Sequence, residues 1–140
     1  MSVLPSDDYI IRNVAFEGSV GTLHSSGESP RPVAMFPPSE IATKVEVSNH
    51  GGLYNIKVTG TDTAVIDGKV FGIFRGTSEK WALEYQPQYD AYIVQATSQN
   101  GAWTVPNGGS HTQVAVAPID ASPDVYKTFL FTFEGPHRGA

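Results

Sequence analysis

The side chains able to do chemistry are few, and their spacing limits what they can do. Four histidines, His24, His50, His111 and His137, are scattered along 140 residues. None is spaced His-x-His or His-x3-His, so no single strand or helix can bring two imidazoles to one metal ion. Each falls in an expected loop, strand end or tail, with no neighbour to orient it as a base. Adjacent carboxylates occur at Asp7-Asp8 near the N-terminus, whereas a glycosidase needs two acids facing each other across a cleft. Gly18, Gly21, Gly27, Gly51-Gly52 and Gly108-Gly109 read as turn glycines, and none sits in a phosphate loop between a strand and a helix. There is no cysteine, which excludes disulfides, thiolate metal sites and cysteine nucleophiles. The expectation is a chain without catalytic residues, metal or cofactor.

Recognition is what remains, and charge narrows the partner. Nine Lys and Arg stand against fourteen Asp and Glu, a formal net charge of −5, with no basic run. Nucleic acid and anionic membrane are therefore not expected as partners. No segment approaches the roughly 20 apolar residues of a membrane span. Residues 1–8 carry neither the basic stretch nor the apolar run of a signal peptide, which with the lack of cysteine points to a cytoplasmic location.

The elements that must position any binding residue read as strands. Fourteen glycines and ten prolines interrupt the chain too often for an amphipathic helix. The best helical candidate, 39–44, is too short to hold alone. Runs rich in Val, Ile, Tyr, Phe and Thr recur between turn residues. They span 9–16, 20–24, 32–36, 43–48, 53–59, 63–66, 69–74, 80–85, 91–96, 102–105, 112–117 and 128–133. Asp67-Gly68 is the strongest hairpin signal, because a type I′ turn needs positive φ at both central residues.

A repeat organises these runs. Three open alike, at Tyr9-Ile10-Ile11, Tyr54-Asn55-Ile56 and Tyr92-Ile93-Val94. Three close on alternating large apolar residues, at Val45/Val47, Trp81/Leu83/Tyr85 and Phe129/Phe131/Phe133. Four-stranded units of about 40 residues, three in a row, are the plan of a β-trefoil. The expected fold is all-β, one β-trefoil domain over 1–140 with repeats at about 9–48, 54–85 and 92–134. A twelve-stranded sandwich is the alternative. The trefoil predicts equivalent places for Tyr9, Tyr54 and Tyr92, with Val45, Trp81 and Phe129 in a shared core.

The segment Leu4-Pro5-Ser6-Asp7-Asp8-Tyr9-Ile10-Ile11-Arg12-Asn13-Val14 resembles the first strand of the cysteine-free mushroom β-trefoil protease inhibitors. The likeness is to the cospin-type serine protease inhibitors, with the mycocypins as more distant relatives. Gly21-Thr22-Leu23-His24, a polar loop, and Arg31-Pro32-Val33 look like the same group. The resemblance is specific over roughly the first 35 residues and loose beyond. It implies a fungal, cytosolic defence or regulatory protein, monomeric, whose partner is a trypsin-like serine protease.

In that group the reactive loop joins the second and third strands. The matching residues here are Ser25, Ser26, Gly27, Glu28, Ser29, Pro30 and Arg31, with Arg31 as the candidate P1 residue. Pro32 departs from expectation, since a proline after P1 removes a backbone donor and fixes φ. Lys69, beside the Asp67-Gly68 turn, is the second choice and Arg75 a third. Asn100, before Gly101, is an alternative loop residue for an asparagine-specific protease. Leu23, Met35 and Phe36 would serve a chymotrypsin-like pocket. The competing function is a carbohydrate-binding lectin, with Trp103 stacking on a glycan and Asn107 and His111 meeting its hydroxyls. The Gln-x-Trp motif of ricin-type lectin repeats is missing.

Overall fold

Nearly every run of β-branched and aromatic residues bounded by turn residues becomes a strand. The computed structural model describes residues 4–135. Its strands are β1 (Asp7–Asn13), β2 (Ser19–Thr22), β3 (Arg31–Phe36), β4 (Val45–His50), β5 (Leu53–Val58) and β6 (Thr61–Ile66), followed by β7 (Lys69–Ile73), β8 (Trp81–Gln86), β9 (Ala91–Ala96), β10 (Ala102–Thr104), β11 (Ala115–Ala117) and β12 (Phe131–Glu134). Between Ile66 and Lys69, Asp67 and Gly68 both take positive φ, 52° and 73°, as a type I′ turn requires. A second turn of this kind, with Thr59 at 51° and Gly60 at 75°, joins β5 to β6.

Strand β1 stops short of the expected run because of Asn13. Its Oδ1 accepts the Ala15 and Phe16 N–H groups, and its Nδ2 donates to the Thr128 and Leu130 carbonyls. The side chain thus replaces ladder partners and turns the chain. The expected helical candidate at 39–44 is turn and irregular chain. Helix was not expected near the C-terminus, yet α1 (Pro123–Tyr126) forms there, with Pro123 in its first turn. A 3₁₀ turn, Lys127–Phe129, follows directly and delays the last strand.

Six strands close a ring. β1 pairs with β4, β4 with β5, β5 with β8, β8 with β9, β9 with β12, and β12 with β1, all antiparallel. The other six form the hairpins β2–β3, β6–β7 and β10–β11. These gather against one another through β3–β7 and β7–β11 pairing and an Ala34–Gln113 bridge.

The same register occurs three times in the ring. Tyr9 faces Val45, Tyr54 faces Trp81, and Tyr92 faces Phe131. Two residues further along each opener, Ile11, Ile56 and Val94 are fully buried. The third closing residue is therefore Phe131 and not Phe129. The 3₁₀ turn moves Phe129 into a separate cluster with Ala91, Ile93, Ala102 and Leu130. The main interior holds Trp103 edge-on to Trp81 and Phe131, with centroids 5.4 and 5.6 Å apart. Trp81 Nε1 donates to Thr63 Oγ1, which donates to the Ile56 carbonyl, each at 2.8 Å.

Candidate functional site

The hairpin β2–β3 carries its connecting loop as a stalked turn. Leu23 N–H donates to the Pro32 carbonyl at 2.8 Å, closing the stem. Above it, Ser25 Oγ donates to the Ser29 carbonyl, and Ser29 N–H to the Ser26 carbonyl. Gly27, at φ 54°, makes the left-handed step at the apex, where a Cβ would be strained. Ser26, Gly27, Glu28, Ser29 and Pro30 are exposed, and Ser25 is half-buried. The loop projects, and its own hydrogen bonds hold its shape.

Arg31 is not part of that projection. It is the first residue of β3, opposite Gly72 of β7. Its guanidinium carbon lies 4.9 Å from the centroid of the Phe74 ring, a cation–π contact, and its buried Nε has no hydrogen-bond partner among the described residues. The exposed cation near the apex is Arg75, whose Nη2 pairs with Glu28 Oε1. The Arg75 side chain is 83% exposed. Lys69 is exposed at the start of β7, opposite Ile66 and Ala115.

The β9–β10 loop is held differently. Glu79, only 8% exposed, accepts hydrogen bonds from Thr97 N–H at 2.7 Å, Ser98 N–H at 2.8 Å and Ser98 Oγ at 2.6 Å. Burial pushes its carboxyl up, but the hydrogen bonds from Ser98 and Thr97 together outweigh that and leave it below its ordinary range. Ala96 N–H donates to the Gly101 carbonyl across the loop base. Gln99 and Asn100 are exposed at its tip, on the far side of this anchor.

The apolar candidates are occupied. Met35 is buried, Leu23 is half-buried, and Phe36 meets the His111 ring edge-on with centroids 4.8 Å apart. The carbohydrate reading loses its aromatic platform, because Trp103 is wholly buried between Trp81 and Phe131. Asn107 is used within its own turn, its Oδ1 accepting from Gly109 N–H and Thr112 Oγ1. His111 Nε2 is 3.0 Å from Glu40 Oε2. His24 and His50 are exposed, and His137 lies outside the described residues. Among the described residues no group of three or more metal-ligating side chains is placed to hold an ion.

Two residues escaped the sequence reading. Glu79 sat at the edge of an expected strand with nothing to mark it as an anchor. Ile41, in the discarded helical candidate, is 96% exposed. Its signal was an apolar residue with no periodic partner, next to a Pro-Pro turn. A cavity of about 570 Å³ separates the Ser39–Thr43 segment from the β2–β3 stem, with Phe36 and Thr59 also on its wall.

The family model for peptidase inhibitor I66 matches residues 1–135. The chain belongs to that family. As an I66 member it is a peptidase inhibitor and not an enzyme, and its partner is a protease. Its fold is similar to that of a proteinase inhibitor from Coprinopsis cinerea, at 24% identity and TM-score 0.85 over 96% of this chain and 100% of that one. It is also similar to the Rhizoctonia solani agglutinin, at 12% identity and TM-score 0.76 over 97% and 99% of the two chains. The Macrolepiota procera ricin B-like lectin, in complex with lactose, aligns at 13% identity and TM-score 0.73 over 97% and 100%. At these identities the solved structures speak to fold alone. No curated sequence matches this chain.

Proposed function

We propose that this I66 chain is a β-trefoil inhibitor of trypsin-like serine proteases, acting by insertion of the β2–β3 loop, residues 25–31, into the active-site cleft. The closed six-stranded ring, the three hairpins gathered against one another and the repeated tyrosine register support the trefoil. The observation that carries the function is a projecting, self-braced loop on a chain that is a peptidase inhibitor over nearly its whole length. A protease takes an extended segment as an added strand, and its specificity pocket takes one side chain. A loop already ordered on a stiff sheet has little left to lose on binding, which favours tight association.

The trypsin pocket carries a buried carboxylate and asks for a cation. Arg31, at the base of the loop where β3 begins, is the P1 candidate. Its use requires release of the Phe74 contact and of its pairing with Gly72. Arg75, exposed and paired with Glu28, is its nearest competitor, and Lys69 the next. The test is a set of trypsin inhibition constants for wild type, Arg31→Ala, Arg75→Ala and Lys69→Ala. Loss of the P1 cation strands the pocket carboxylate and weakens inhibition by ~2–5 kcal/mol, about one and a half to three and a half decades. The single variant showing that loss identifies P1: Arg31→Lys retains most binding if it is Arg31, and a loss confined to Arg75→Ala or Lys69→Ala moves the site out of the β2–β3 loop. Full potency in all three would refute a trypsin-directed loop.

A further inference from the structure

Ile41 is almost fully exposed, at 96%, and scattered surface apolar residues are common enough to need no account by themselves. Its setting gives this one meaning. On one side, Pro37 and Pro38 restrict the backbone, Glu40 N–H donates to the Pro37 carbonyl at 3.0 Å, and Glu40 Oε2 is 3.0 Å from His111 Nε2. On the other side, Thr43 packs toward Gly21, where an added Cβ would lie 3.4 Å from Thr43 Oγ1, and β4 begins at Val45. Between these anchors, residues 41–44 belong to no strand or helix. Among the described residues, Ile41 and Ala42 take part in no backbone hydrogen bond. A short stretch of unpaired backbone, fixed at both ends and led by a bare aliphatic side chain, is what a protease cleft can take up as an added strand.

We propose that the β3–β4 segment, residues 40–43, is a second reactive segment of this inhibitor, with Ile41 as the P1 residue for a serine protease whose specificity pocket is small and apolar. This rests on the chain being a protease inhibitor, but not on the β2–β3 loop or on any cation. Ile41 supplies what such a pocket selects, an uncharged branched side chain that leaves no buried polar group unpaired. The other apolar candidates cannot supply it without rearrangement, since Met35 is buried, Phe36 lies against His111, and Leu23 is half-buried with its N–H bonded to the Pro32 carbonyl in the β2–β3 stem. The anchoring by Glu40 and Thr43 removes ordering cost beforehand.

The test uses the full chain against pancreatic elastase, for the small apolar pocket, and against trypsin. Wild type inhibits elastase, and Ile41→Asp weakens that inhibition roughly 100-fold, as for a central contact residue, with trypsin inhibition unchanged. Because Ile41 contacts almost nothing, its replacement leaves the thermal midpoint where it was, and a calorimetric scan verifies this. Ile41→Arg in an Arg31→Ala, Arg75→Ala background moves the segment's inhibition from elastase to trypsin. The proposal is overturned if wild type does not inhibit elastase, if Ile41→Asp inhibits it as well as wild type, or if that variant loses trypsin and elastase inhibition equally. Trypsin inhibition insensitive to Arg31, Arg75 and Lys69 would sink the β2–β3 reading instead and leave this one standing.

Discussion

Trp81 and Trp103 touch each other in the interior but differ in one respect. The Trp81 indole N–H is donated to Thr63 Oγ1, and the Trp103 N–H has no partner among the described residues. Both side chains are fully buried. Trp81→Ala should cost ~3–5 kcal/mol, as for other large aromatic truncations in cores. The sharper comparison is with phenylalanine. Trp81→Phe removes a volume and also leaves Thr63 short of a donor, whereas Trp103→Phe removes a donor that had no acceptor. The first should cost more than the second by ~1–3 kcal/mol, measured as paired urea denaturation curves. Equal costs would mean that the Trp81–Thr63 bond adds nothing net. Arg31 teaches the complementary lesson, since its type suggested a role that its place in the β3–β7 ladder makes costly.

The loop between β9 and β10 owes its shape to an acid from the preceding unit. Glu79 is drawn below its ordinary range by Ser98 and Thr97, so in the folded chain it loses its proton more readily than in the unfolded one. It therefore contributes stability above the ordinary carboxylate range, and that contribution fades as pH falls through its lowered folded value. Glu79→Gln should destabilise the domain at pH 7 and progressively less below about pH 4, followed by urea midpoints for both proteins across that range. A gap that stays constant with pH would remove the charge from the account. At this scale much was legible in advance. Tyr9, Tyr54 and Tyr92 announced the repeat, and Asp67-Gly68 the sharpest turn, because alternation and positive-φ turns are local properties. The anchor was not legible, because Glu79 meets Thr97 and Ser98 only after β8 and β9 have paired. The displacement of Phe129 was hidden too, since the helical turn that starts after Ser122 continues through Phe129, into the first residues of the expected strand run 128–133.

On the scale of the whole molecule, the β2–β3 stem and the Ser39–Thr43 segment border one cavity. A protease domain is about 30 Å or more across, so one bound at either place covers the other. The expected stoichiometry is one protease per inhibitor, checked by light scattering of mixtures with trypsin and elastase together, and a ternary species would show that the two segments act on separate faces. The ring has a further consequence, for how the chain reaches this state. Its first strand pairs with its last, Ile10 opposite Glu134 and Asn13 opposite Phe131, so no early portion of the chain can complete the ring. Pairings this distant in sequence fold in roughly milliseconds to seconds rather than microseconds. During synthesis, β1 and β9 must wait with bare edges until the residues of β12 have emerged, and such edges recruit other chains. A chain ended at residue 130 should therefore collect in aggregates while the full chain stays in solution, and ribosome-bound intermediates should resist proteolysis only after the final strand has cleared the exit tunnel.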